Sequence, residues 1–133
     1  MAFSEVEVVA KSNRFHVSNV KLYEYLDNAR FDWYKYCIQA GVEAVLVHIN
    51  ADYKKEIFNQ DRLRIRTWME RVGNTSFTLK QTVMNQRDEL VVSAEVVFAT
   101  IDREKRTKVT APDVVRKLLN DQSVLDISVY KYT

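Results

Sequence analysis

The chain has 133 residues, of which 47% are hydrophobic, and this length predicts a single domain over residues 1–133. Its 20 lysine and arginine residues nearly balance 18 aspartate and glutamate residues, without a basic stripe that would follow a phosphate backbone, which excludes nucleic acid as a favoured partner. One cysteine, Cys37, excludes an internal disulfide, and with only two histidines beside it we expect no metal site.

The first predicted element is a strand over residues 3–10, where apolar and polar residues alternate. The glutamates Glu5 and Glu7 stand where a secretory leader needs an uninterrupted apolar region. No later run approaches the roughly 20 apolar residues that cross a bilayer. We therefore predict a soluble, cytoplasmic protein without a membrane span.

A helical period follows from Asn19 to Ala40. Apolar residues recur there at steps of three and four, and charged and amide side chains line the opposite side. Ser18 is the predicted N-cap, and Gly41 is the predicted left-handed stop. The pattern predicts one helix of about 22 residues, roughly 33 Å long.

Four strands are predicted after Gly41, and their short connections imply antiparallel pairing. They cover residues 42–53, 61–72, 76–84 and 89–102. In the second of them, the odd-numbered residues from 63 to 69 face the core and the even-numbered residues from 62 to 68 face the solvent.

A short second helix is predicted within residues 110–119, with Thr110 as its cap, Pro112 in its first turn and Asp113 as a favourable acid. A last strand is predicted at residues 123–130. These parts indicate the α+β class, because a sheet with one apolar face packs economically around a helix with a broad apolar side.

The order of elements and several motifs resemble the hotdog-fold acyl-CoA thioesterases, in particular the branch related to 4-hydroxybenzoyl-CoA thioesterase. That branch has a loop D-x-D-x-x-G-H-V-N-N followed by a helix A-x-Y-L-x-Y-x-E-x-A-R. The stretch FHVSNVKLYEYLDNAR matches it at His16, Val17, Asn19, Tyr25, Asp27, Ala29 and Arg30. Downstream, FNQDRLRIRT is similar to F-G-D-x-L-x-V-R-T, and RVGNTSFTL to the family's glycine-serine hairpin. The resemblance covers about residues 3–120 and implies a hotdog fold, an antiparallel sheet wrapped around one long central helix.

The loop departs from the family pattern at the positions that carry chemistry. In the family, the second loop aspartate acts as nucleophile or general base on the thioester, and Ser12 stands at the matching position. Ala10 replaces the first aspartate, and Phe15 replaces the glycine. The resemblance therefore implies an acyl-CoA or acyl-carrier-protein thioesterase with a non-standard base.

Four residues are candidates for the chemistry. The resemblance implies that the Asn19 N–H binds the thioester oxygen, at a helix start that favours negative charge. His16 is the candidate general base, since histidine is the side chain that most often serves in general acid–base catalysis. Ser12 and Asn13 are candidates for positioning water, and Ser12 also for direct attack. Each has a structural alternative: Ser12 as a turn residue, His16 as a packing residue and Asn19 as a cap.

Six further residues are candidates for binding the substrate. Aromatic side chains near the helix start would border an acyl tunnel, although such spacing is also typical of plain core, and basic side chains would meet the phosphates of coenzyme A. The six are Phe15, Tyr23, Tyr25, Lys54, Ser76 and Arg106. Coenzyme A enters only as part of the substrate, and we expect no cofactor.

Two other functions remain open on the same fold. Hotdog-fold enoyl-CoA hydratases have a motif of the form D-x-N-P-x-H at the start of their helix. Asn13 and His16 stand at the right separation for this motif, but Lys11 and Arg14 replace its aspartate and its proline. A domain that binds acyl-CoA or a partner protein without turnover is supported by the missing loop aspartate. Under all three functions the open sheet edge predicts a homodimer, or a tetramer built from such dimers.

Overall fold

The computed structural model describes residues 2–120 and residue 125, and in it a five-stranded antiparallel sheet packs against consecutive helices. The strands are β1 (Phe3–Val9), β2 (Glu43–Tyr53), β3 (Arg62–Val72), β4 (Ser76–Met84) and β5 (Leu90–Ile101). The helices are α1 (Asn19–Ala29), α2 (Phe31–Gln39) and α3 (Asp113–Arg116), and a 3₁₀ turn follows at Lys117–Leu119. The strand order is β1-β3-β4-β5-β2. The predicted α+β hotdog arrangement is confirmed, and each of these strands lies within one residue of its predicted bounds.

The two faces of the sheet differ as the alternation in β3 predicts. Leu63, Ile65 and Met69 are buried against the helices. Arg62 and Arg66 point to the other face and are exposed. The apolar core divides into two clusters, one around Trp33 of α2 and one around Leu22 and Leu26 of α1.

The prediction of one unbroken helix is wrong, because Arg30 separates α1 from α2. Arg30 keeps a backbone φ of −90° and ψ of 0°, and its N–H donates to the carbonyls of Asp27 and Asn28. Its side chain is buried and donates to Gln81 Oε1 of β4 over 2.9 Å. The interruption therefore coincides with the point at which a charged side chain from the helix bonds to the sheet.

The predicted caps of the long helical segment are confirmed. The Ser18 hydroxyl accepts from the Lys21 N–H over 3.3 Å at the start of α1. Gly41 adopts a φ of +95° directly after the segment, a backbone conformation in which a side chain would be strained. Both ends of the segment are thus set by local chemistry that the sequence displays.

The second helix differs from its prediction at its start. Pro112, not Thr110, is the residue before the first turn of α3, and its extended φ and ψ explain why the helix begins at Asp113, two residues later than a cap at Thr110 predicts. The last predicted strand, residues 123–130, lies outside the described residues apart from Leu125, whose N–H donates to the Phe3 carbonyl. Within the described part of the chain, no helix combines the length and apolar character needed to cross a bilayer.

Candidate active site

The loop between β1 and α1 is held by its own hydrogen bonds. The Ser12 hydroxyl donates to the His16 carbonyl over 3.0 Å and accepts from the Arg14 N–H over 3.0 Å. The Ser12 N–H donates to Asn59 Oδ1 over 2.9 Å, which ties the loop to the segment before β3. The hydroxyl of Ser12 thus closes a turn, in agreement with its structural alternative.

The start of α1 leaves two backbone donors unused. The Lys21 N–H bonds to Ser18, and the Leu22 N–H bonds to the Ser18 carbonyl. The N–H groups of Asn19 and Val20 have no acceptor among the described residues, as expected for the first positions of a helix. They carry the positive end of the helix dipole and form a site for a developing negative charge.

His16 lies beside this helix start. Its backbone pairs with Phe58 in an isolated antiparallel bridge, and the Val17 N–H donates to the Ile57 carbonyl over 2.7 Å. Its imidazole is exposed and lines both of the cavities that flank the helix start. The bridge therefore brings segment 53–57 opposite the first turn of α1.

The first of these cavities lies between the helix start and segment 53–57 and has a volume of about 380 Å³. We call it the acyl cavity only because the sequence predicts that an acyl group binds near the helix start. Apolar side chains of Val17, Leu22 and Ile57 form part of its lining. Asn19 and Lys54 also line it, which brings both predicted residues together with His16. A cavity with an apolar wall and a few polar groups is the arrangement that small-molecule sites prefer.

Glu56 is a carboxylate of the acyl cavity that sequence reasoning missed. It lies on segment 53–57, across from the helix start, and not on the loop where the family pattern places its acid. Two features of the sequence are consistent with this position. Glu56 is the one acid in the polar stretch between two predicted strands, and the loop before α1 has no acid. Glu56 lies near His16 because His16 pairs with Phe58 in the isolated bridge, which joins residues far apart in the chain.

The second cavity, which we call the loop cavity, has a volume of about 690 Å³ and lies on the other side of His16. Ser12 and Asn13 line it together with His16 and Ser18, so the predicted catalytic residues other than Asn19 meet here. Its walls are polar and basic throughout. The two cavities share His16 and Ser18 and are therefore adjacent at the helix start.

The aromatic candidates take different positions around the site. The Tyr25 hydroxyl accepts from the Lys11 N–H over 3.0 Å, so a hydrogen bond to α1 holds the start of the loop. Phe15 is 80% exposed and meets the Phe58 ring edge-on, with ring centroids 5.2 Å apart. Burial and the neighbouring Tyr23 hydroxyl raise the pKa of Tyr53, which lines the acyl cavity. Tyr23 thus lies at the margin of that cavity.

Ser76 and Arg106 lie far from the helix start within one chain. Ser76 pairs with Ala99 near the end of β5, whereas Tyr53 of the acyl cavity pairs with Val92 near its beginning. Seven residues of strand separate these positions, a distance of about 23 Å. Arg106 donates through both terminal nitrogens to the Glu43 carboxylate and thereby holds the pKa of Glu43 below its ordinary value. Roles for these two residues in binding stay predictions.

The basic side chains beside the acyl cavity differ in their partners. Lys55 donates to the Glu89 carboxylate over 2.9 Å. Hydrogen bonds from Asn85, Lys55 and Arg87 lower the pKa of Glu89 to about 2. Lys54 forms no ion pair with any residue in the described part of the chain, so its ammonium is the one available to a substrate phosphate. No three His, Cys, Asp or Glu side chains among the described residues are arranged to hold a metal ion.

Comparisons with known proteins agree with this geometry. A family model described as the thioesterase-like superfamily matches residues 13–119. The 1,4-dihydroxy-2-naphthoyl-CoA hydrolase of Synechococcus sp. (strain CC9605) is 31% identical over 86 residues, which are 65% of this chain and 57% of that protein. The long-chain acyl-CoA thioesterase FadM of Escherichia coli (strain K12) is 23% identical over 111 residues, which are 78% of this chain and 84% of that protein. A solved structure of a predicted thioesterase from Bacillus stearothermophilus shares the fold, with a TM-score of 0.80 at 16% identity over 94% of this chain and 99% of that one.

Proposed function

The chain belongs to the thioesterase-like superfamily, and from this premise we propose that it hydrolyses the thioester of an acyl-CoA or of an acyl carrier protein. The observation that carries the proposal is the pair of unused N–H groups at the start of α1, which lie beside a partly apolar cavity. The curated relatives, whose names describe hydrolysis of acyl-CoA thioesters, support the same substrate class. A cytoplasmic location stays a prediction.

In the proposed reaction, the thioester oxygen accepts a hydrogen bond from the Asn19 N–H. Water attacks the carbonyl carbon and gives up a proton to a base, and negative charge develops on the oxygen. The helix start stabilises that charge, because its donors are already oriented before the reaction begins. The carbon–sulfur bond then breaks, which releases the thiol of coenzyme A and a carboxylic acid.

Two side chains of the acyl cavity have the chemistry of a general base. His16 lies next to the helix start, and Glu56 lies across from it. The Ser12 hydroxyl is occupied by its bonds to His16 and Arg14, which argues against Ser12 as the nucleophile. We propose that His16 or Glu56 takes the part that the loop aspartate plays in the family.

The proposal is tested by thiol release from a panel of acyl-CoAs, from acetyl to palmitoyl and benzoyl, on wild type, His16→Ala and Glu56→Gln. Turnover that collapses in one variant identifies the base. Cys37 will not disturb such an assay with a thiol reagent, because burial raises the pKa of its thiol to about 12. If acyl-CoA raises the melting temperature of the wild type but no thiol appears, the chain is a binding domain and the proposed hydrolysis is wrong.

We further propose a two-fold homodimer formed through β2. This strand is at one edge of the sheet, and no other strand among the described residues pairs with its free side. Leu46, Val47 and Tyr53 of β2 are apolar or aromatic and exposed. A two-fold axis at an edge strand pairs it antiparallel with its copy, so the Glu43 end of one chain meets the Tyr53 end of the other. Arg106 of the partner subunit would then approach the acyl cavity, as its predicted role in binding requires.

Val47→Lys is expected to convert the dimer to a monomer. Val47 is 58% exposed at the register shift in β2, so a lysine there costs little in the monomer but places two like charges at the proposed interface. Sedimentation at a fixed protein concentration measures the change in mass. Val9→Lys is the matched control, since Val9 is an exposed valine of the opposite edge strand. A monomeric wild type, or a dimer lost only in Val9→Lys, would contradict the interface.

A further inference from the structure

The loop cavity is lined by cations and contains no carboxylate in its lining. Lys11, Arg14 and Lys21 face it, and the remaining lining residues are neutral amides and hydroxyls together with His16. In a chain whose charges almost balance, residues 8–23 carry these three cations and no acid. The loop where the family pattern carries acids is therefore basic.

The cations of the loop cavity are only partly neutralised. Lys21 pairs with Glu24 over 3.3 Å, and both side chains are largely exposed. Lys11 and Arg14 form no ion pair with any other residue that the structure describes. Asp61, which follows the lining residue Gln60 in the chain, does not line the cavity. It is buried, and its two oxygens accept from the Phe58 N–H and from Gln86 Nε2. Two cations thus remain available to a ligand.

The structure also fixes the position of these groups. The Arg14 N–H bonds to the Ser12 hydroxyl, and the Lys11 N–H bonds to Tyr25, so the backbone that carries both cations is held before a ligand arrives. On the opposite wall, Asn59 uses its carbonyl oxygen for the Ser12 N–H, which leaves its amide N–H₂ as a donor. Cations on a fixed backbone and amide donors around one cavity are the chemistry that binds carboxylate or phosphate oxygens.

We propose that the loop cavity binds an anionic group of the thioester substrate. This inference rests on the proposed function, because the cavity adjoins the helix start through His16 and Ser18, where the thioester is held. A substrate at the Asn19 N–H therefore extends into both cavities, with either the end of its acyl group or its coenzyme A portion in the loop cavity. The anion is either a carboxylate at the end of the acyl group or a phosphate of coenzyme A, since both present oxygens to Lys11 and Arg14.

The test compares wild type with Lys11→Gln/Arg14→Gln, which removes both free charges and keeps a flexible polar side chain at each position. Glutaryl-CoA and valeryl-CoA differ in an acyl carboxylate, and valeryl-pantetheine lacks the adenosine and all the phosphates of valeryl-CoA. We expect the double variant to raise KM about 10- to 100-fold for the compounds that carry the bound anion and to leave KM unchanged for those that lack it. Lys35→Gln/Lys117→Gln, which removes two charges elsewhere on the chain, is the matched control.

The two pairs separate the sources of the anion. A loss confined to glutaryl-CoA supports an acyl carboxylate, and an equal loss for both CoA esters but not for the pantetheine ester supports a phosphate. Equal KM values for wild type and double variant on all three compounds would overturn the proposal. If none of them is hydrolysed, the same compounds serve as inert ligands whose Kd by calorimetry decides the anion site, and the proposed hydrolysis is decided separately by the acyl-CoA panel.

Discussion

Replacing Asn19 by proline is expected to lower kcat by about 100- to 1,000-fold for whichever acyl-CoA the wild type hydrolyses best, the effect of losing one donor to a developing oxyanion. The substitution removes the backbone N–H at the first position of α1 and changes little else. Proline suits this position, because the N–H has no helical acceptor and the ring already has a helical φ. Ser18 has a φ of −72° and a ψ of 160°, which is the conformation required before a proline.

The control for this prediction is Asn19→Ala, which keeps the N–H and removes the side chain. We expect it to retain most of the activity, and both variants should have the melting temperature of the wild type within a few degrees. If alanine reduces kcat as much as proline does, the side chain and not the backbone acts on the substrate. If proline leaves kcat unchanged, the helix start is not the oxyanion site.

The sequence predicted most of the fold, because the two periods of apolar residues are local signals. Alternation placed all five strands, and turn residues between them ended each strand close to its observed bound. The interruption of the long helix escaped prediction for a physical reason. The helical period continues on both sides of Arg30, and only the burial of its guanidinium under the sheet, against Gln81, reveals that the segment is divided.

The catalytic candidates were found only where the residues of the site are contiguous. Ser12, Asn13 and His16 lie in one loop, and Asn19 begins the next helix, so short spacing alone brings them together. Glu56 lies near the same helix start because His16 pairs with Phe58 in an isolated bridge. About forty residues separate His16 from Glu56 in the chain, and no local sequence pattern predicts a contact over that separation. The basic lining of the loop cavity was visible in sequence as charge, but its closure by Asn59 required the fold.

A buried polar network joins the helices to the sheet below the site. Arg30 donates to Gln81 Oε1 over 2.9 Å, to the Tyr34 hydroxyl over 2.8 Å and to Asp27 Oδ1 over 3.3 Å. Gln81 Nε2 donates in turn to the Leu26 carbonyl over 3.0 Å and to the Thr67 hydroxyl over 3.1 Å. Gln81 is fully buried, so its amide is the link through which the end of α1 is fixed against β3 and β4. The position of the helix start depends on this anchor.

Gln81→Leu is therefore expected to lower the free energy of unfolding by about 3 kcal/mol, because it leaves a buried guanidinium N–H and a buried carbonyl without partners. Urea unfolding at a fixed protein concentration measures the loss. Thr82→Val, on the solvent side of the same strand, is the control and should change stability by less than about 0.5 kcal/mol.

Arg30→Met in the same chain distinguishes the lost hydrogen bonds from a packing defect. Gln81→Leu removes the buried acceptor of the Arg30 guanidinium. If this loss causes the destabilisation, the free energy of unfolding lost in the double variant Arg30→Met/Gln81→Leu will be smaller than the sum of the losses in the two single variants, by about 1 to 3 kcal/mol. Strict additivity would mean that the two side chains act independently and that the network does not hold the helices to the sheet. The same variants should lower kcat, since the proposed oxyanion donor at Asn19 is part of the helix that Gln81 contacts at Leu26.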